Sequence, residues 1–136
     1  MSLEIAKEFA AFLDANQYDD ASQLLAEDCD YHYSEGSYRG NKNIINIYKQ
    51  NDLQSKKIFD ETTYSSEVEE LPDGNYRITF VDKIRKGHKW HEYKCYQLIQ
   101  CADGRIIHIE HREIPGEMES LRMFYSTSRS QGLNLP

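Results

Sequence analysis

His111 is the side chain of this sequence best suited to proton transfer, because an imidazole takes up and releases a proton near neutral pH. A carboxylate at Asp82 or Glu113 could orient the ring. Two interpretations stay open: His111 is an acid–base or ligand-contacting group, or it is a buried histidine that hydrogen-bonds to a neighbour. The choice depends on the strands that must bring these residues together.

A hairpin turn is predicted by the residues Pro-Asp-Gly at positions 72–74, with Gly74 in the left-handed conformation. If Leu71 pairs with Asn75, the register of both strands follows. One face then carries opposite charges across from each other, such as Glu69 and Arg77, and should be solvated. The other face is mostly apolar and places Tyr64 opposite Asp82, Ser66 opposite Phe80 and Val68 opposite Ile78.

Two more turns extend this hairpin into a meander, with strands predicted at residues 58–70, 76–85, 89–101 and 105–114. Gly87 marks one turn, and Ala-Asp-Gly at 102–104 predicts another three-residue loop with a glycine bulge. If Cys101 pairs with Arg105, the facing pairs are Ile99 with Ile107, Gln97 with Ile109, Cys95 with His111 and Tyr93 with Glu113. Ile107, Ile109 and His111 then face inward, whereas His108 faces outward.

Helical periodicity precedes these strands. It predicts a first helix that ends near Asn16, a second from Asp19 or Asp20 and a third from Asn41, with a short strand at 29–34 and a loop at 35–40. A terminal helix is predicted over residues 117–125. Helices followed by a meander indicate an α+β fold, with helices on one face of a curved antiparallel sheet. We expect one domain over residues 1–126 and a polar tail over residues 127–136.

The composition is that of a folded globular domain, with 39% hydrophobic and 12% aromatic residues. The net charge of −7 argues against a nucleic-acid partner, because phosphate binding needs a basic surface. No apolar run is long enough to span a membrane. Three cysteines without a leader peptide or a metal-knuckle spacing indicate reduced thiols and a cytoplasmic location.

Two segments carry a resemblance to a known family. The run LAEDCDYHY at residues 25–33, with YRGNKNI at 38–44, resembles the start of SnoaL-like domains, and DGRIIHIEHRE at 103–113 resembles their last strand. These domains belong to the nuclear transport factor 2-like superfamily, with ketosteroid isomerase and limonene epoxide hydrolase. The resemblance implies a cone, in which a curved sheet wraps around helices and leaves a cavity at the wide end.

The resemblance also implies roles for two positions. His111 stands where SnoaL-like cyclases and epoxide hydrolases often have an acid–base aspartate. Tyr33 aligns approximately with the general-base aspartate of ketosteroid isomerases, which argues against that chemistry, because a phenol with a pKa near 10 is a poor base at pH 7. Tyr33 could instead donate a hydrogen bond to a ligand oxygen or form an aromatic wall.

The predicted pocket combines these faces. Its candidate catalytic residues are His111 and Asp82, and its candidate ligand-binding residues are Tyr31, Tyr33, Tyr64, Phe80, His91, Tyr93, Cys95 and Glu113. We expect no metal and no cofactor. Histidines three apart on one strand, such as His88 with His91, point to opposite faces, although His91 and His111 could share a face with Asp82 or Glu113.

Three functions remain open at this point. We favour a pocket that binds a small apolar or oxygen-bearing molecule on mostly apolar walls. The enzyme alternative is metal-free proton transfer, an isomerase-, cyclase- or hydrolase-like activity with His111 as the acid–base group. The third is a protein-interaction domain with a vestigial pocket. A homodimer is also expected, because Trp90, Tyr96 and Leu98 lie beside Arg112 on the outward face.

Overall fold

The computed structural model describes the backbone of residues 2–130 and the side chains of residues 2–126. Four helices and six strands follow one another within this described part of the chain. They are α1 (Ser2–Asp14), α2 (Tyr18–Gln23), β1 (Leu25–Tyr33), β2 (Gly36–Arg39), α3 (Asn41–Ile58), β3 (Glu61–Glu70), β4 (Tyr76–Lys86), β5 (Lys89–Ala102), β6 (Arg105–Glu113) and α4 (Glu117–Ser130).

The strands form one six-stranded sheet in the order β2-β1-β6-β5-β4-β3. Neighbouring strands are antiparallel except β1 and β6, which run parallel. The predicted meander therefore forms one part of the sheet, and the N-terminal hairpin β1–β2 extends it beyond the last strand. The predicted loop at 35–40 is wrong, because residues 36–39 form strand β2 opposite β1. The α+β fold class is confirmed.

Helices cover one face of this sheet, which we call the inner face. Helix α1 buries Ala6, Phe9, Ala10 and Leu13, which recur at the three- and four-residue spacing of one helix face. Helix α3 buries Ile44 and Ile45 and continues to Ile58, so β3 begins at Glu61 and not at the predicted residue 58. The fully buried core of large side chains comprises Phe9, Leu25, Ile44, Ile78, Ile99, Ile106 and Ile109.

The first hairpin has the predicted register. The Leu71 amide donates to the Asn75 carbonyl over 2.8 Å, and Gly74 has a φ of 88° in the left-handed region. Tyr64 therefore lies opposite Asp82, and Glu69 lies opposite Arg77. The β4–β5 hairpin turns at residues 87–88, close to the predicted Gly87.

The register of the last hairpin was predicted wrongly. Its loop has two residues, Asp103 at φ 53° and Gly104 at φ 78°, and both left-handed values are typical of a type I′ turn. Residues 102 and 105 flank this loop, and a bulge follows at residue 107. The pairs on the inner face are therefore Ile99 with Ile109, Gln97 with His111 and Cys95 with Glu113. A slip of two residues preserves the faces, so His111 still points inward, but Ile106 replaces Ile107 in the core.

Helix α4 follows β6 and packs on β5, where Phe124 stacks on His91 with ring centroids 5.1 Å apart. Its backbone continues past the predicted residue 125 to Ser130, and residues 131–136 of the expected tail lie outside the described residues. Within the described chain, no helix is long and apolar enough to cross a membrane.

Candidate functional site

A cavity of about 150 Å³ lies between the inner face of the sheet and helices α1, α2 and α3. Apolar and aromatic groups form much of its wall, while acidic and amide groups stand among them. Among the residues whose side chains the structure describes, its lining contains three aspartates and no lysine or arginine. The lining residues are Leu13, Asp14, Asn16, Tyr18, Tyr31, Tyr48, Asn51, Asp52, Ser55, Tyr64, Phe80, Asp82, Cys95, Gln97 and His111.

Asp82 is the carboxyl group that strand β4 presents to this cavity. Its side chain makes no hydrogen bond or ion pair with any described residue, unlike the other two cavity aspartates. Burial, followed by the negative charges of Asp14 and Asp52, raises the pKa of Asp82 to about 7 from an ordinary value of 3.8. A carboxyl group with this pKa can be either a proton donor or a proton acceptor at neutral pH.

Asp14 and Asp52 are brought to the cavity by helices and are both hydrogen-bonded. Asp14, the last residue of α1, accepts a 2.6 Å hydrogen bond from the Ser66 hydroxyl, and burial raises the pKa of Asp14. Asp52 of α3 is only 7% exposed. It accepts hydrogen bonds from the Tyr64 hydroxyl over 2.6 Å and from the Lys56 ammonium group over 2.9 Å.

His111 is held in the cavity wall by two neighbours. Its Nδ1 lies 3.2 Å from Nε2 of Gln97, and its Nε2 lies 2.9 Å from Oε1 of Glu113. The Gln97 carbonyl oxygen accepts the Tyr48 hydroxyl over 2.5 Å, which leaves the amide nitrogen to donate to His111. In its neutral form His111 therefore carries its proton on Nε2, directed at the Glu113 carboxylate. The predicted partner Glu113 does orient the ring, whereas Asp82 does not bond to it.

Six predicted site residues line the cavity: His111, Asp82, Tyr31, Tyr64, Phe80 and Cys95. The other four lie outside it. Tyr33 stacks on Tyr38 with centroids 5.6 Å apart, and His91 lies under Phe124 with a buried Nε2 that has no hydrogen-bond partner among the described side chains. Tyr93 donates its hydroxyl hydrogen to Glu113, which is 42% exposed. Burial raises the pKa of the Cys95 thiol well above its ordinary value, which keeps the sulfur protonated and a poor nucleophile.

Sequence reasoning missed the helical half of the lining, because it assembled the pocket from strands alone. Helix α3 contributes Tyr48, Asp52 and Ser55, at spacings of four and three that place them on one helix face. The sequence did contain a signal for this half of the lining, because these three polar residues lie on α3 just after the buried Ile44 and Ile45. Among the described residues, no cluster in the cavity has the spacing of metal ligands; the one such cluster lies on the opposite, outer face of the sheet.

No family model matches the sequence, and no curated protein matches it either. Solved structures do match. An LEH-like epoxide hydrolase from M. tuberculosis is 13% identical, with a TM-score of 0.67 over 96% of each chain. A nuclear transport factor 2-like protein of unknown function from Burkholderia pseudomallei is 12% identical, with a TM-score of 0.65 over 88% of this chain and 93% of that one.

A protein with a ketosteroid isomerase-like fold from Catenulispora acidiphila, solved in complex with trimethylamine, is 14% identical, with a TM-score of 0.62 over 84% of this chain and 88% of that one. At these identities the likeness concerns the fold. The chain therefore has the nuclear transport factor 2-like fold, as the resemblance of its first and last strands implied.

Proposed function

We propose that this chain, with its nuclear transport factor 2-like fold, binds a small, partly apolar molecule in the cavity, with the polar end of that molecule at Asp82. The observation that supports this proposal is an unpaired, half-buried carboxyl group in a cavity with largely apolar walls. Such convergent polar groups on apolar walls are typical of ligand pockets. The volume matches that of an engineered cavity that holds benzene.

The charges of the wall narrow the class of ligand. Three aspartates without a lysine or arginine in the lining disfavour a carboxylate or phosphate ligand. They favour an amine, whose positive charge also interacts with tyrosine rings, and next a hydroxyl group that donates to Asp82. A protein with a related fold is in complex with trimethylamine, an example of such a ligand.

The free thiols of all three cysteines support a cytoplasmic location as part of this proposal.

Three probes of one size test this proposal: benzylamine, benzyl alcohol and benzoate, titrated by calorimetry and by NMR. The expected order of affinity is amine, then alcohol, then acid. Asp82→Asn should lower the affinity for benzylamine at least tenfold, since it removes the only unpaired carboxylate in the described cavity wall. The exposed Asp103→Asn is the matched control. Tighter binding of benzoate, or equal binding of benzylamine by both variants, would contradict the proposal.

Proton transfer is the second candidate function, and the pKa of Asp82 near 7 favours it. In this reaction Asp82 takes a proton from a carbon next to a carbonyl group and returns it after rearrangement, while His111 shapes the wall. Exchange of the α-protons of cyclohexanone with deuterated water, followed by NMR, measures the first step. Asp82→Asn should lower this rate about a hundredfold or more; an equal rate in both proteins would exclude this role of Asp82. The open cavity gives no support to the third alternative, an interaction domain with a vestigial pocket.

A further inference from the structure

Asp30, His32 and His108 form a compact group of potential ligands on the outer face of the sheet. The His108 Nδ1 lies 2.6 Å from Asp30 Oδ1, and the His32 Nε2 lies 3.4 Å from Asp30 Oδ2. One donor atom from each side chain lies within 4.8 Å of the others. We propose that this group binds a divalent transition-metal ion of the zinc type.

The strands explain why these residues converge. Residues 30 and 32 alternate with the buried Tyr31 on β1, so their side chains share the outer face. His108 is the direct neighbour of Asp30 on the parallel strand β6, and Glu110 is the direct neighbour of His32. Adjacent strands lie about 4.8 Å apart. Asp30 and His32 on β1 thus lie beside His108 and Glu110 on β6, and these four side chains place their donor groups at the corners of a small quadrilateral.

The donor set suits the proposed ion. Two imidazoles and a carboxylate are ligands that zinc accepts, at metal–ligand distances of about 2.0–2.2 Å. A tetrahedral ion with those distances separates its ligand atoms by roughly 3.4 Å. The His32 Nε2 lies at this separation from Asp30 Oδ2, at 3.4 Å, and the His108 Nδ1 lies closer to Asp30 Oδ1, at 2.6 Å. The two histidine rings already lie side by side with centroids 5.0 Å apart. Small side-chain rotations are therefore enough to coordinate an ion.

Two neighbours tune the site in opposite directions. Glu110 is available as a fourth ligand if it releases Arg112, to which it is bonded over 2.8 Å. Arg39 of β2 is the direct neighbour of Asp30 on the other side and is exposed. Its positive charge opposes cation binding, although no ion pair joins it to Asp30. Removal of this charge should therefore raise the metal affinity.

This group escaped the sequence argument for a physical reason. Within one strand the histidines recur three residues apart, as His108 and His111 do on β6, and therefore point to opposite faces. The group on the outer face combines Asp30 and His32, which are two residues apart on β1, with His108 on the parallel strand β6. His108 follows His32 by 76 residues in the sequence. Only the β1–β6 pairing brings these residues together.

The test uses tag-free, metal-free full-length protein, titrated with Zn²⁺ by calorimetry and with Co²⁺ by visible absorption. The wild type should bind one ion per chain and melt at a higher temperature with Zn²⁺. His32→Ala and His108→Ala should each lower the affinity at least tenfold, and Arg39→Gln should raise it. His88→Ala, in the exposed β4–β5 turn, should bind as the wild type does.

Three outcomes would overturn the proposal: wild-type protein that binds neither ion, single-histidine variants that bind like the wild type, or a thiolate charge-transfer band in the Co²⁺ spectrum. The last would assign the ion to the free thiols of the chain. His32→Ala guards against a folding artefact, because the His32 side chain is 47% exposed and its loss should leave the metal-free melting temperature unchanged. Unchanged metal-free stability with lost binding identifies a metal site rather than a structural hydrogen-bond group.

Discussion

Asp82→Asn tests the electrostatics of the cavity most directly. The pKa of Asp82 is about 7 in the folded protein, against an ordinary value of 3.8, because the carboxyl group is partly removed from water and faces Asp14 and Asp52. Between about pH 4 and pH 7 the folded state therefore binds more protons than the unfolded state. Stability falls as the pH rises through this window, and the loss is complete above it.

The size of the effect follows from the pKa. At about 1.4 kcal/mol per pKa unit, a rise from 3.8 to about 7 lowers the free energy of unfolding by about 4 kcal/mol at pH 8. At pH 4.5 the same linkage gives a loss of about 1 kcal/mol. Asparagine cannot ionise and therefore avoids this loss. From pH 4.5 to pH 8 the free energy of unfolding of Asp82→Asn should rise by about 3 kcal/mol relative to that of the wild type.

Urea unfolding at pH 4.5 and pH 8 measures this difference, with Asp103→Asn as the control. Asp103 is an exposed carboxylate in a left-handed turn position, which asparagine also tolerates. The control should show no pH-dependent gain. If the difference in the free energy of unfolding between Asp82→Asn and the wild type is the same at both pH values, Asp82 titrates like a solvated aspartate and the cavity does not raise its pKa.

Three further changes have defined outcomes. Tyr64→Phe should lower the free energy of unfolding by about 1.5–3 kcal/mol in thermal or urea melts, because Asp52 loses a charged hydrogen bond; unchanged stability would show that this bond contributes nothing. Gly74→Ala should cost about 1–2 kcal/mol through backbone strain at φ 88°, since no atom lies within 4 Å of the added methyl group. Gly36→Ala, at an ordinary φ, should cost less. We propose a homodimer through the outer face, where Trp90 is 53% exposed; light scattering at micromolar concentration should give a dimer for the wild type and a monomer for Trp90→Glu, and a wild-type monomer would contradict this.

The fold was predictable because its local signals agree with its tertiary structure. Pro-Asp-Gly at 72–74 determined one hairpin, and from it followed the pair of Tyr64 with Asp82. The register of the last hairpin was predicted wrongly because the residues at 102–104 are compatible with two types of turn. Ala-Asp-Gly permits a three-residue loop, but Asp-Gly alone favours type I′, and the compensating bulge at Ile107 leaves no mark in the sequence.

The site was predictable only where it rests on strands. Period-two alternation places Asp82, Cys95 and His111 on the inner face without any knowledge of the helices. The positions of Asp14 and Asp52 depend on how α1 and α3 pack across the sheet, which hydrophobic periodicity does not specify. The parallel pairing of β1 with β6 is likewise a long-range event, and no local motif predicts it.

That parallel pairing has a consequence for the order in which the chain folds. Strands β3 to β6 are joined by short turns and pair with their sequence neighbours, so they can form as soon as they are synthesised. Strand β1 is made before them and can pair at once only with the four-residue β2, because β6, its neighbour on the other side, begins 80 residues after the start of β1, at Arg105. Until then that edge of β1 stays unpaired, and Leu25, Cys29 and Tyr31, which are buried in the native fold, lack the rest of the sheet. Pulse-labelled hydrogen exchange should therefore find the amides of β4 and β5 protected before those of β1, and the nascent N-terminal segment is the part of this protein most exposed to aggregation.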